Sequence, residues 1–366
     1  MSDQSSPSAV HTYPCSGCGA NVEFAPGTDV LKCPYCGHEQ ALAAPTREVR
    51  EHSFDQLLAK PRQPVASLGA NHFVCSGCGA RTDGDELARL CQFCASPLVA
   101  DNAGGDVIPP EAVLPFGLDR GGARDALRRW VKSRWFAPNQ LKKVTEAESS
   151  KSTYVPHWTY DAATVSHYQG ERGTYYYVTE TYTATENGQT VTKTRQVRHT
   201  SWSPASGTVR RDFDDILVMA TGRVTNDQLR ELEPWPLKDA RAYQPEYLAG
   251  HQALRYEVEP EQGFEVAKQQ AAPVIRNDCM RDIGGDEQRV HGVDTRYSNV
   301  TYKLMLLPVW ICCYVFAGKN WQVLINGVTG EVQGQRPYSV AKIIGAVAAG
   351  LAVLAVIITL IVLNQN

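Results

Sequence analysis

Eight of the eleven cysteines stand in four C-x-x-C pairs: Cys15 with Cys18, Cys33 with Cys36, Cys75 with Cys78, and Cys91 with Cys94. Two residues between cysteines make a tight knuckle that points both sulfurs at one ion, and two facing knuckles complete a tetrahedral four-thiolate site. Fourteen residues separate the first two pairs and twelve the last two, and the hexapeptide Cys-Ser-Gly-Cys-Gly-Ala occurs identically at 15–20 and 75–80. The duplication predicts two zinc ribbons, each holding one Zn2+. Neither set leaves a position open for water or substrate, so both ions are expected to be structural rather than catalytic. In modules with so few apolar residues the metal supplies on the order of 10 kcal/mol, and loss of one cysteine should unfold its ribbon. Disulfides are the competing use of paired cysteines, but the first thirty residues lack the basic start, apolar centre and small-residue cleavage site of a secretory signal.

Other residues with chemical potential are scattered. His157, Asp161 and His167 are metal ligands by type, yet their spacing fits neither a helix face nor a knuckle. Asp282 and Asp286 flank a Gly-Gly turn with no nucleophile, histidine cluster or phosphate loop near them in sequence, so bonding to nearby backbone N–H groups is favoured over acid–base work. Cys279, Cys312 and Cys313 have no partner at ligand spacing and read as buried thiols. Gly318-Lys319-Asn320 lacks the glycine spacing and hydroxyl of a phosphate-binding loop, which argues against ATPase chemistry.

The elements that carry these residues divide the chain into an α+β arrangement. Residues 1–12 are polar and Ser-rich and are expected to be disordered; the first ribbon occupies 13–42 and the second 71–100. Between them, in the 43–70 linker, Ser53 and Gln56 form a capping box for a short helix ended by Pro61, read as a spacer. After a 101–110 linker, residues 111–338 form an α+β domain dominated by antiparallel strands. A helix at 122–135 sets Leu127, Trp130, Val131 and Trp135 on one face and Arg124, Arg128 and Lys132 on the other. Core packing with a solvated basic face is the favoured reading, and contact with anionic lipid or a phosphate backbone the alternative. Strands at 174–185 and 189–202 flank Asn187-Gly188, a type I′ hairpin signal. Tyr175, Tyr176, Tyr177 and Tyr182, with Lys193, Arg195 and Arg198, read as half-buried strand residues beside basic stems, or alternatively as a base-stacking surface. A helix over 261–272 should stop or kink at Pro273, with strands at 288–297, 309–316, 321–325 and 331–333.

Ile343 to Leu363 is a run of twenty-one residues without a charge. As a helix it spans about 31 Å, close to the ~30 Å hydrocarbon core of a bilayer, and it predicts a transmembrane helix within 340–363. Leu304 to Ala317 is too short to cross and is interrupted by Pro308, so it reads as a buried strand pair. Lys319, Arg336 and Lys342 lie on the N-terminal flank of the apolar run, which places the N-terminal domains of a tail-anchored, single-pass protein in the cytosol. Residues 1–105 hold seven basic and eleven acidic side chains, a balance that argues against ribbons tracking phosphates.

With the double ribbon come Tyr154-Val-Pro-His-Trp-Thr-Tyr-Asp161, Phe213-Asp-Asp-Ile-Leu-Val218, Leu232-Glu-Pro-Trp235, Tyr247-Leu-Ala-Gly250, Arg281-Asp-Ile-Gly-Gly-Asp286, Leu307-Pro-Val-Trp310, Asn326-Gly-Val-Thr-Gly-Glu331 and Arg336-Pro-Tyr338. Together they resemble a family of bacterial membrane-anchored double zinc-ribbon proteins, whose members often carry the name primosomal protein N′ or replication-restart helicase because of ribbon similarity. The resemblance implies a non-enzymatic adaptor at the bacterial cytoplasmic (inner) membrane, with stomatin/flotillin-type (SPFH) or phage-shock-type envelope-stress proteins as partners. It supplies no catalytic residues. The alternative is a nucleic-acid-binding, replication-associated zinc-ribbon protein without its own ATPase.

Overall fold

The computed structural model describes residues 13–43, 47–59, 71–75, 80–84, 91, 98–100, 108–134, 150–186, 189–222, 230–316, 319–334 and 340–364. The short strands β1 (Glu23–Phe24), β2 (Val30–Lys32) and β3 (Glu39–Ala41) form a small antiparallel sheet of their own. β4 (His52–Ser53), β5 (Asn71–Cys75), β6 (Arg81–Gly84), β7 (Leu98–Ala100), β8 (Ala112–Val113) and helix α1 (Arg120–Lys132) follow. The body is built on β9 (Ser150–Glu186) and β10 (Gln189–Met219), then β11 (Arg241–Ala242), β12 (Gln252–Leu254), helix α2 (Pro260–Ile283) and β13 (Glu287–Phe316). β14 (Lys319–Asn326), β15 (Val332–Gly334) and helix α3 (Val340–Asn364) come last. The strand-rich α+β class expected from the period-two patterning is the class observed.

β9 is the spine. It pairs antiparallel with β10 along one edge and with β13 along the other, in registers that set Glu186 opposite Gln189 and Gly173 opposite Glu287. Asn187 and Gly188, the expected turn, lie outside the described residues. Where β10 ends at Met219, opposite His157, β12 takes over the edge in parallel against Thr153 and Tyr154. The far side of β12 receives β6, and β5 and β7 continue from there. The outer edge of β13 is shared in the same way by β4, β8 and β14. Segments from the N-terminal third of the chain therefore complete the edges of a sheet whose long strands all begin at Ser150 or later.

α2 lies over this sheet with Phe264, Ala267, Ala271, Ile275, Cys279 and Ile283 turned inward at three- and four-residue spacing. The helix was expected to stop or kink at Pro273, yet it continues to Ile283. Pro273 is on the solvent face, where the carbonyl that loses its partner four residues earlier, on exposed Gln269, is open to water. The separate strands expected at 288–297 and 309–316 are one strand, β13. Pro308 stands where the outer neighbour changes from β8 to β14, so it interrupts neither pairing. The described part of the linker, 47–59, is not a spacer. Its short helix is a 3-10 turn, Phe54–Ala59, and the Phe54 ring packs against Tyr160, Phe264 and Tyr302. α1 buries Leu127, Trp130 and Val131 as the favoured reading had it; Trp135 lies outside the described residues. α3 carries an apolar stretch, Lys342–Leu360, long enough to cross a membrane and with no part of it buried against the rest of the chain.

Candidate metal centre

The first two cysteine pairs meet as two matching knuckles. Gly19 N–H donates to Cys15 O (2.8 Å) and Gly37 N–H to Cys33 O (3.0 Å), closing each turn. Gly19 and Gly37 have φ of 76° and 74°, a left-handed conformation that explains the glycine after the second cysteine. The knuckles face each other with the Cys15 and Cys36 sulfurs 3.5 Å apart, those of Cys18 and Cys33 3.6 Å apart, and all four within 4.8 Å of one another. A tetrahedron with Zn–S bonds of about 2.3 Å has sulfurs about 3.8 Å apart, so the set fits a four-thiolate metal site. Within the set the thiols divide: Cys33 is held down at about 6, chiefly by the Cys36 N–H and next opposed by desolvation, whereas Cys36, against the His38 N–H, is pushed up to about 12 by its contacts with Cys15 and Cys18. A lowered thiol is one that gives up its proton readily to a metal.

Burial divides the site in two. Cys15 and Cys33 are buried, whereas Cys18 and Cys36 are exposed, with Tyr35 beside them in solvent. The buried half is part of the main core: Cys15, Cys33, Val22, Phe24 and Leu31 pack in one cluster with Phe116, Leu127, Tyr154 and Trp310. The backbone is stitched to the body as well. Phe24 N–H donates to Ala249 O (2.9 Å) and Gly27 N–H to Phe116 O (2.8 Å), while the Phe24 ring meets Tyr247 edge-on at 5.2 Å. Beneath this joint His251 stacks on Phe116 with centroids 4.5 Å apart, and burial lowers its pKa to about 4, so it is neutral.

The second set is described in part. Cys75 and Cys91 are both buried, and Cys75 N–H donates to Ala80 O (2.9 Å) as Cys15 N–H donates to Ala20 O (2.6 Å). Cys78 and Cys94 lie outside the described residues.

The other candidate residues are not brought together. His157, Asp161 and His167 lie on one strand, and a rise of about 3.3 Å per residue puts the ends of the trio some 33 Å apart. His157 is wholly buried, bonded to Val155 O (2.8 Å) and lowered by desolvation to about 4; His167 bonds Thr208 on the surface. Asp282 accepts from the Tyr168 hydroxyl (2.7 Å) and Asp286 from the Tyr175 N–H (2.7 Å), each serving as a structural acceptor. Cys279 and Cys312 are buried, and burial raises the Cys279 thiol. Tyr175 and Tyr182 do sit under Arg198 and Arg195, at 4.2 and 5.7 Å from ring centroid to guanidinium, but Tyr176, Tyr177 and Tyr182 are exposed rather than half-buried, because no element covers this part of the hairpin.

One cluster has no signal in the sequence. Bulges in β10 (Phe213/Ile216) and β13 (Ser298/Thr301) flank Asp161, with Asp215 and Asn299 at φ 52°. They gather Asp161, Asp215 and Glu51 from the linker around Lys303, whose ammonium lies 2.7 Å from Glu51 and 2.6 Å from Asp215. Burial, and then the hydrogen bond to Glu51, raise Asp161 to about 6, and the same bond is the first cause holding Glu51 down at about 2. Below about pH 6 Asp161 holds the one proton of this pair, and the lysine occupies the place a cation would take. The ligands are 110 and 164 residues from Glu51, beyond any local pattern.

No protein-family model matches this chain, and no solved structure matches it. It is similar to the uncharacterized protein YdjG of Bacillus subtilis (strain 168), 25% identical over 333 residues that make up 91% of this chain and 92% of the relative.

Proposed function

We propose that this protein is a non-enzymatic, membrane-anchored zinc-ribbon adaptor of the bacterial cytoplasmic membrane, with its N-terminal domains in the cytosol. One observation carries the reading: a closed set of four cysteine sulfurs built half into the core of the same body that ends in a bare apolar helix. A metal there has no open coordination position for a substrate, so its work is to hold a shape. The exposed half, around Cys18, Tyr35 and Cys36, is then a rigid surface offered to a partner. The second cysteine set, Cys75, Cys78, Cys91 and Cys94, would hold a second Zn2+ by the identity of its hexapeptide with the first.

The position of α1 supports the anchor. Its inner face packs against Leu118, Gly330 and Val332, and five residues separate Gly334, the last residue of β15, from Val340, where α3 begins. Its outer face carries Arg120, Arg128, Arg129 and Lys132, a cationic row suited to the anionic surface of the inner leaflet. Family resemblance supplies the partner class, SPFH-type or phage-shock-type membrane proteins.

The test is capture of the full-length protein from crosslinked bacterial membranes beside a form ending at Tyr338, with mass spectrometry of what accompanies each. The adaptor reading expects membrane scaffold proteins with the full-length form and their loss from the shorter one. Nucleic acid and replication proteins with both forms would instead favour the nucleic-acid reading.

A further inference from the structure

Beyond Gly173, where β13 starts, β9 and β10 leave the body as a two-stranded arm made of residues 174–186 and 189–201. Thirteen residues per strand at about 3.3 Å give it a length of ~43 Å. An isolated two-stranded hairpin is marginal in water, and this one exposes Tyr176, Tyr177, Val178 and Tyr182 by 41–62%. We infer that the arm is where a second copy of this chain docks, its β9 edge pairing with the β10 edge of its neighbour.

Hydrogen bonding shows that both edges are available. The Tyr175 N–H reaches out to Asp286, so in its pairing with Thr200 the two N–H groups point away from each other. By period two, every second residue from Tyr177 to Thr185, and from Thr190 to Arg198, turns its N–H to an outer edge. Among the described residues no strand pairs with either edge of the arm. At the base of β10 the edge is blunted: Pro204, opposite Glu171, falls on the outward register, where its missing N–H costs the hairpin nothing. The arm itself has no proline and no bulge, the usual protections of an exposed edge.

Charge selects the partner and the geometry. The β9 half of the arm carries Glu180 and Glu186 and no lysine or arginine; the β10 half carries Lys193, Arg195 and Arg198 and no acid. Pairing β9 with β9, or β10 with β10, sets like charges side by side. β10 against the β9 of another copy sets basic against acidic, and repeats the match already made within the arm by Arg195 and Glu180 at 3.0 Å. Such head-to-tail contacts do not close at two copies. They also keep every copy in the same orientation, as a common membrane would require.

The experiment uses the full-length protein in detergent micelles at tens of micromolar, with native mass spectrometry to count chains. Thr181→Pro blocks the β9 edge and Thr194→Pro the β10 edge, each at an outward N–H, so the hairpin ladder stays intact; unchanged zinc content and melting temperature verify folding. Thr183→Pro and Thr192→Pro are the replacement pair should either not fold. The parent should form species larger than dimers, and each variant alone should be monomeric. An equimolar mixture should give a one-to-one heterodimer, because each variant keeps the edge the other lacks. Lys193→Glu should weaken association about tenfold. A monomeric parent, an assembly that stops at two copies, self-association of either proline variant, or association untouched by both would each overturn the proposal.

Discussion

The two ends of β9 have similar composition and opposite surroundings. Near its start Thr153, Tyr154, Trp158, Thr159 and Tyr160 are all at most 1% exposed, whereas Tyr177, twenty residues further along the same strand, is 62% exposed. Both stretches are threonine and aromatic residues suited to a pleated surface. Only what lies on the faces differs. At the base one face meets α1, the first cysteine module and Phe116 and, further along, Tyr302 and α2, while the other meets Met219, Leu254 and Met305. The arm has left all of these behind. An amphipathic or aromatic strand is thus not a core strand until something covers it, and here the covers come from the far ends of the chain.

Removing a cover should do the most damage. Cys33→Ser takes away both a candidate metal ligand and a member of the core, so the first module should lose its metal, worth on the order of 10 kcal/mol in small zinc modules, and detach. Metal analysis and limited proteolysis of 13–43 check this. Unchanged metal content would exclude Cys33 as a ligand, and loss of metal with protection unchanged would show that the module is held by packing alone.

The base and the arm should then separate cleanly under truncation. Trp158→Ala removes a fully buried ring and the bond from its indole N–H to Val258 O (2.8 Å), and should cost about 3–5 kcal/mol in denaturant unfolding. Tyr182→Ala, in the arm, should change stability by no more than about 0.5 kcal/mol. Equal costs would mean that the arm is covered in solution.

Between base and arm lies the Glu51 cluster, which joins the linker to the sheet. Lys303→Ala leaves Glu51 and Asp215 facing each other without their shared cation and should cost about 1–3 kcal/mol, read by thermal melting at pH 7.

The same cluster carries a weaker dependence on pH. Asp161 is raised from 3.8 to about 6, so its stabilising share is complete below 3.8 and is lost as pH rises through 6. Glu51 is lowered from 4.5 to about 2, so its share is complete above 4.5 and is lost as pH falls through 2. The link should be firmest near pH 4 and weaken by less than ~1 kcal/mol toward pH 7, because both carboxylates are partly exposed. Asp161→Asn should flatten the melting temperature between pH 4.5 and 7 relative to the parent. Identical slopes would remove the proton on Asp161.

Much of this was legible in residue order. A knuckle needs only two cysteines two residues apart and a glycine free to turn, so Cys15, Cys18, Cys33 and Cys36 could be read as one site from spacing alone. An uncharged run as long as Ile343–Leu363 is likewise a local property, and so is the alternation of 174–202. Proline misled where its meaning depended on its neighbours: Pro273 is a breaker in isolation, yet here it faces water and the helix runs on.

What only the tertiary structure decided is contact across distance. Glu51 meets Asp161 and Lys303, Phe24 meets Tyr247, β6 joins β12, and no periodicity connects residues 110 to 252 apart. Backbone pattern determines which strands and knuckles form, because those depend on neighbours a few residues away. Which strand is buried, which carboxylate keeps its proton and which edge stays open depend on what the rest of the chain places there.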